Sequence, residues 1–392
     1  MKIQSSSLVP VLVEKTDSIS SGAGKAKLQD LPEELIQHIQ SLLPPPDAAR
    51  TCLLSRSWAH AWSTFPILTF LKSFVWDHKK EERQYYNQID RTLLRYHQHN
   101  IPIQSFSLRY GVSNDKLAVL AKKWIHLLFV SPNTRLKELS LVITLGIDSF
   151  TLPDEILYGQ HLNKLSVTSC VRSLRICDIN SNSAALLIRC VSLRVLDLTR
   201  VNISKQLLNN LLSTCCLLEK IKLVSCNGFK TIKFKDPPCF LRELEIVSGK
   251  EDVFLEVDDA PRLQSFHYYS SGSSSWSKPL PFNLDALRGC VTHLYVAGVF
   301  MDKSFFNTIN LKFPFLESMT IGIKFPGKES FIITSASMKT LTIHVWVERS
   351  MDIQVYAPKL LALDFIGWRV PRNKLSISYP ITPPGQVKLT VK

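Results

Sequence analysis

Leu193-Arg194-Val195-Leu196-Asp197-Leu198 is a phrase of six residues with leucine at its first, fourth and sixth places. It returns as Leu218-Glu219-Lys220-Ile221-Lys222-Leu223, Leu241-Arg242-Glu243-Leu244-Glu245-Ile246 and Leu263-Gln264-Ser265-Phe266-His267-Tyr268, the starts advancing by 25, 23 and 22 residues. Further copies start at Val291, Leu316, Met338 and Leu360, and two earlier ones at Leu136 and Leu162. A period of ~20–29 residues marks units that cannot bury an apolar face alone and do so by stacking on their neighbours.

In an extended strand the fourth and sixth places point one way and the fifth points the other. The phrase therefore predicts one parallel strand per unit, with the paired apolar residues inside and the residue between them on an open sheet face. That face is the default docking surface of a stacked array. Six of its residues, Glu243, Glu245, His267, Tyr269, His293 and Tyr295, come from three successive units and predict an aromatic patch beside acidic groups, of the kind that anchors a partner. The same alternation leaves open that they are ordinary surface aromatics, or are covered by the loop from Ser270 to Ser275. Cys170 and Cys226 follow the last apolar place of their phrases by three residues, where the repeat pattern places an inward, structural side chain.

Toward the N-terminus the pattern changes. Pro32 suits the first position of a helix, and Glu33 and Glu34 place negative charge in its first turn. Leu35, Ile36, Ile39, Leu42 and Leu43 then line one helical face until Pro44-Pro45-Pro46 ends it. Asp47 is the expected cap of the next helix, which carries Leu53 and Leu54, and Trp58 and Trp62 share a side of a third. A module this small cannot hide so many large apolar groups, and each one left in water forgoes ~1.5–3 kcal/mol. It is expected to bury them against a partner or the rest of the chain.

The organisation expected is a disordered leader at 1–27, a helical module at 28–70, a helical linker at 71–100 and the repeat array at 101–392. Leu117, Leu120, Trp124, Leu127 and Leu128 have helical spacing and belong to the layer behind the strands. Pro10 interrupts the short apolar run from Leu8 to Val13, so no secretory leader is expected, and no apolar run approaches the ~20 residues of a membrane span. Nine cysteines without a C-x-x-C fit a reducing compartment, cytoplasm or nucleus. The net charge of +14 is spread evenly, without a block of five like charges, so it describes a solvated surface. The ten histidines contain no H-E-x-x-H, and neither a cofactor, a metal nor a catalytic centre is expected.

The run Leu31-Pro32-Glu33-Glu34-Leu35-Ile36, with Ile39, Leu42-Leu43-Pro44, Asp47-Ala48-Ala49-Arg50-Thr51-Cys52-Leu53-Leu54-Ser55-Arg56, Trp58 and Trp62, resembles an F-box of the plant type. It departs from that pattern at Gln40, where an apolar residue is common, and at Ser57, where a basic one is usual. The array from about residue 100 to 380 resembles the divergent leucine-rich repeats that follow an F-box in large plant families. The resemblance implies an α/β chain: a three-helix F-box, then a leucine-rich-repeat solenoid with a parallel β-sheet on its concave face. It implies a non-catalytic substrate receptor of an SCF ubiquitin ligase. Leu31, Pro32, Leu35, Ile39, Leu42, Leu43, Pro44, Leu53, Leu54 and Trp58 would dock a Skp-type adaptor and through it a cullin, and the repeat face would hold an unidentified target protein. Nucleic acid and membrane are not the expected partners. The other reading the charge allows is a scaffold whose basic surface holds a polyanion, which steep salt dependence would reveal.

Overall fold

The computed structural model describes residues 28, 31–71, 79–130, 135–170, 174–176, 188–234, 239–249, 252–257, 259–271, 280–287, 290–323, 330–345, 352–367 and 388–391. The expected leader at 1–27 and most of the Ser270 to Ser275 loop lie outside them. The chain divides into two compact units, one up to Phe65 and one from Pro66 onward.

The first unit holds helices α1 (Glu33–Ser41), α2 (Pro45–Arg50) and α3 (Arg56–Ser63), with a short 3-10 turn at Thr51–Leu53. Pro32 stands just before α1, and its carbonyl accepts from the Leu35 and Ile36 amides, both at 3.1 Å. Asp47 does not cap α2. Two of the three prolines enter the first turn of that helix, where a missing N–H is harmless, so α2 starts at Pro45 and Asp47 pairs inside it with Arg50 at 2.8 Å. Ser55 caps α3, its hydroxyl accepting from the Trp58 amide.

The second unit is built on a 13-stranded sheet in which every pairing is parallel. In all ten phrases found in the sequence, the first, fourth and sixth residues are buried, from Leu136, Leu139 and Leu141 to Leu360, Leu363 and Phe365. The junction repeats as well. In nine of the ten phrases the carbonyl of the residue after the first apolar place accepts two amides of the next unit, as Arg194 does from Glu219 at 2.8 Å and Lys220 at 2.9 Å. Behind the sheet lie helices α4 (Lys79–Gln98), α5 (Asp115–Val130), α6 (Lys205–Thr214) and α7 (Lys303–Lys312), alternating with short strand pairs such as Thr231–Lys233 on Phe254–Glu256.

Two spans differ from expectation. The stretch 28–70, read as helical throughout, ends in a strand, Ile67–Phe70, paired to Ser105–Val112, because Leu68 and Phe70 alternate into the core. The stretch 71–100, read as a linker, contains α4, whose Tyr85, Tyr86, Ile89, Leu93 and Tyr96 belong to the main core. Cys170 is a third difference. It is exposed just past the strand Lys164–Ser169, whereas Cys226 is half-buried with its sulfur 3.2 Å from the Leu198 carbonyl, and burial pushes its thiol up to about 11.

Candidate functional site: an apolar helical surface and an open sheet face

In the first unit, Ile36, Trp58 and Ala61 form the interior, with Leu31 and Ile39 packed against them. The Trp58 indole is 2% exposed and donates to the Leu28 carbonyl at 3.0 Å. It was expected to meet a partner. The structure makes it the centre of its own module instead, because α3 turns that face toward α1. Gln40 is buried beside it, its amide donating to Thr51 Oγ1 at 2.9 Å and to the Trp58 carbonyl at 3.2 Å. Glu33 ties the start of α1 to the end of α3, accepting from Gln37 at 3.0 Å and from the Thr64 hydroxyl.

The remaining leucines face outward. Leu42 is 72% exposed, Leu53 87% and Leu54 56%, and Leu35, Leu43, Pro32 and Pro44 are exposed with them. Glu34, Asp47, Arg50 and Arg56 are charged neighbours of this surface in sequence, and all four are exposed. Half-buried Leu31 and Ile39 form its base.

On the sheet, strand register settles which expected residues meet. One row across the open face runs Ser166, Asp197, Lys222, Glu245, His267, Tyr295, Thr320 and Thr342. The His267 and Tyr295 rings stack at 3.9 Å between centroids and 13° between planes. Burial holds the His267 imidazole below its ordinary value, with Glu245 pulling the other way. Burial likewise raises the Tyr295 phenol, and the nearby Tyr269 adds to it. Tyr269 lies one row over, opposite Ala297. His293 lies one row down, opposite Ser265 and Ser318, and turns its Nδ1 to the Thr292 hydroxyl at 2.9 Å, outside the stack.

The acidic members are not free charges. Lys222 pairs with Glu245 at 3.0 Å and Lys220 with Glu243, which raises the lysine's pKa. Asp197, opposite Lys222, is raised by burial, and its Oδ1 is buried without a hydrogen-bond partner. Charge therefore alternates across three strands and ends at the neutral ring stack. Strand alternation points both lysines outward, and their pairing follows from parallel register, which places equal positions of adjacent units side by side.

Residues 28–70 match the F-box domain, and residues 93–299 match the leucine-rich-repeat domain of the At1g61320/AtMIF1 type. Over 154 residues the chain is 32% identical to the F-box/LRR-repeat protein At3g49150 of Arabidopsis thaliana, covering 38% of this chain and 23% of that protein. Over 221 residues it is 26% identical to the F-box/LRR-repeat protein At5g02930 of the same plant, covering 56% and 42%. Over 261 residues it is 27% identical to Arabidopsis F-box/LRR-repeat protein 25, covering 66% and 86%. The chain thus spans less than half the length of the first two. Among the described residues no helix is long and apolar enough to cross a membrane.

Proposed function

The chain belongs to the family of F-box/leucine-rich-repeat proteins, and on that premise we propose that it is the substrate-recognition subunit of an SCF ubiquitin ligase. The helical unit docks a Skp-type adaptor and through it a cullin. The open sheet face around His267, Tyr269, His293 and Tyr295, with Glu243 and Glu245, holds the target protein, and the other subunits carry out ubiquitin transfer.

The observation that carries this reading is the division of labour among apolar residues in the first unit. Ile36, Trp58 and Ala61 suffice for the interior, while Leu35, Leu42, Leu43, Leu53 and Leu54 remain in solvent. Fully burying one such side chain stabilises by ~1.5–3 kcal/mol, so the set supports a protein partner with a complementary apolar surface. Trp58 acts here as the support that holds the surface in place.

Co-purification with a Skp-type adaptor tests the reading. Wild-type chain retains the adaptor, and Leu42→Asp or Leu53→Asp loses it while keeping the helical circular dichroism of the parent. Equal retention by wild type and both variants would overturn the assignment. Polyanion binding that collapses between low and physiological salt, with no adaptor bound, would replace it with the scaffold reading.

A further inference from the structure

Cys190 and Cys215 hold the same place in successive repeats, three residues ahead of Leu193 and Leu218. In each the carbonyl accepts from that leucine's amide, at 3.1 and 3.3 Å, closing the turn that leads into the strand. The same bond closes turns at Gly159, Ala260, Phe313 and Ala357, so this is a repeated feature of the array. Equal positions in adjacent units of a parallel stack lie about one strand spacing apart, ~4.8 Å. That falls within the ~4.4–6.8 Å between Cα atoms that a disulfide bridges.

The side chains agree with the backbone. Both thiols are buried, their sulfurs are 3.8 Å apart, and the Cys215 sulfur lies 3.2 Å from the Cys190 carbonyl. The other described turns of the series carry Gly159, Ala260, Phe313 and Ala357, so the juxtaposition is confined to this one step. We propose that Cys190 and Cys215 are a redox modification site, joining as a reversible disulfide when the protein meets a hydroperoxide.

The chemistry balances without any other reactant. The Cys190 sulfur, as thiolate, attacks one oxygen of hydrogen peroxide, the O–O bond breaks, and the leaving hydroxide takes the thiol proton as water, leaving a sulfenic acid. The Cys215 sulfur then displaces the sulfenic hydroxyl, which leaves as a second water, and the S–S bond forms. Two thiols are oxidised and one peroxide is reduced. The hydrogen bond from Cys215 lowers the Cys190 thiol and raises Cys215, which fits Cys190 as the sulfur that attacks the peroxide and is oxidised first. A small thiol reverses the step by exchange. The bond would enclose strand Val195–Thr199 and α6, fastening one repeat to the next.

The experiment uses the full chain carrying Cys216→Ser, since Cys216 is exposed and neighbours Cys215. The protein is treated with hydrogen peroxide, remaining thiols are alkylated, and trypsin is applied without reductant. The expected product is Cys190–Arg194 linked to Gln206–Lys220, released by dithiothreitol, with a melting temperature several degrees above the reduced form, on the order of 5 °C. Recovery of the two peptides unlinked, at a peroxide dose that has oxidised the exposed Cys170, would overturn the proposal. So would a link that forms as readily in urea as in the native state.

Discussion

The His267 and Tyr295 rings lie almost parallel, 3.9 Å apart, on adjacent strands at the same register. The stack encloses part of the imidazole, and burial holds it below its ordinary value despite Glu245 in the next strand. A histidine whose folded pKa is depressed binds fewer protons folded than unfolded, so its contribution to stability is full above the unfolded value of ~6.5 and is lost as pH falls below it. His344, also lowered by burial, adds in the same direction. Asp197, raised by burial, opposes them only in the carboxylate range. Urea unfolding followed from pH 7.5 down to 5 should show stability falling, and His267→Gln should flatten that slope. An unchanged slope would mean that the stack does not exclude the proton.

Gln40 should be replaceable with a gain. Its Oε1 is buried without a partner, while Thr51 Oγ1 keeps its bond to the Ala48 carbonyl at 2.6 Å if the amide is removed. An unpaired buried acceptor costs about 1–3 kcal/mol, partly returned here by the two bonds of Nε2. Gln40→Met, of similar length and without polar hydrogens, should raise the stability of the helical unit by about 1 kcal/mol in denaturant titration. A loss of that size would show that the Nε2 bonds outweigh the orphaned oxygen.

The repeat array was legible because a register of period two and a unit of constant length leave little freedom. Once Leu196 and Leu198 point inward, Asp197 must point outward, and parallel stacking puts it opposite Lys222. Ile103-Gln104-Ser105-Phe106-Ser107-Leu108 is the same phrase written with isoleucine and phenylalanine, and its three apolar residues are buried like the rest. It stands 33 residues ahead of Leu136, beyond the ~20–29-residue spacing that marks a unit, with α5 between them. The strand Ile67–Phe70 was hidden by its position immediately after a helical pattern. The helical unit was harder to read for another reason: a wheel shows that Trp58 and Trp62 share a side but not whether that side turns inward. That depended on how α3 packs on α1, which one sequence leaves open.

Gly298 shows how little room the sheet gives just past the C-terminal end of the strand His293–Ala297. Its φ is +74°, and a Cβ there would stand 1.7 Å from the Ser270 carbonyl oxygen, on the strand next to Tyr295. Any side chain must either push that strand away or abandon the left-handed backbone, which for a residue with a side chain itself costs of order 1–3 kcal/mol. Gly298→Ala should lower stability by at least about 3 kcal/mol. It should also loosen the His267–Tyr295 contact, seen as a His267 titration midpoint by NMR moving back up toward ~6.5.

The sharpest separation between structural and docking roles lies between Trp58 and Leu53, five residues apart in the same unit. Trp58 is 2% exposed and Leu53 is 87% exposed. Trp58→Ala removes the largest side chain of the interior it forms with Ile36 and Ala61, and a change of this kind costs about 3–5 kcal/mol. Because so small a unit has little stability to spare, its helical signal and any adaptor binding should disappear together. Leu53→Ala removes nothing the fold uses, so circular dichroism and melting temperature should stay within ~0.5 kcal/mol of the parent, while adaptor affinity falls by at least ~10-fold for a contact worth about 1.5 kcal/mol. If Leu53→Ala binds the adaptor as well as the parent does, and a second exposed position such as Leu42→Ala does too, the outward leucines are not the docking surface.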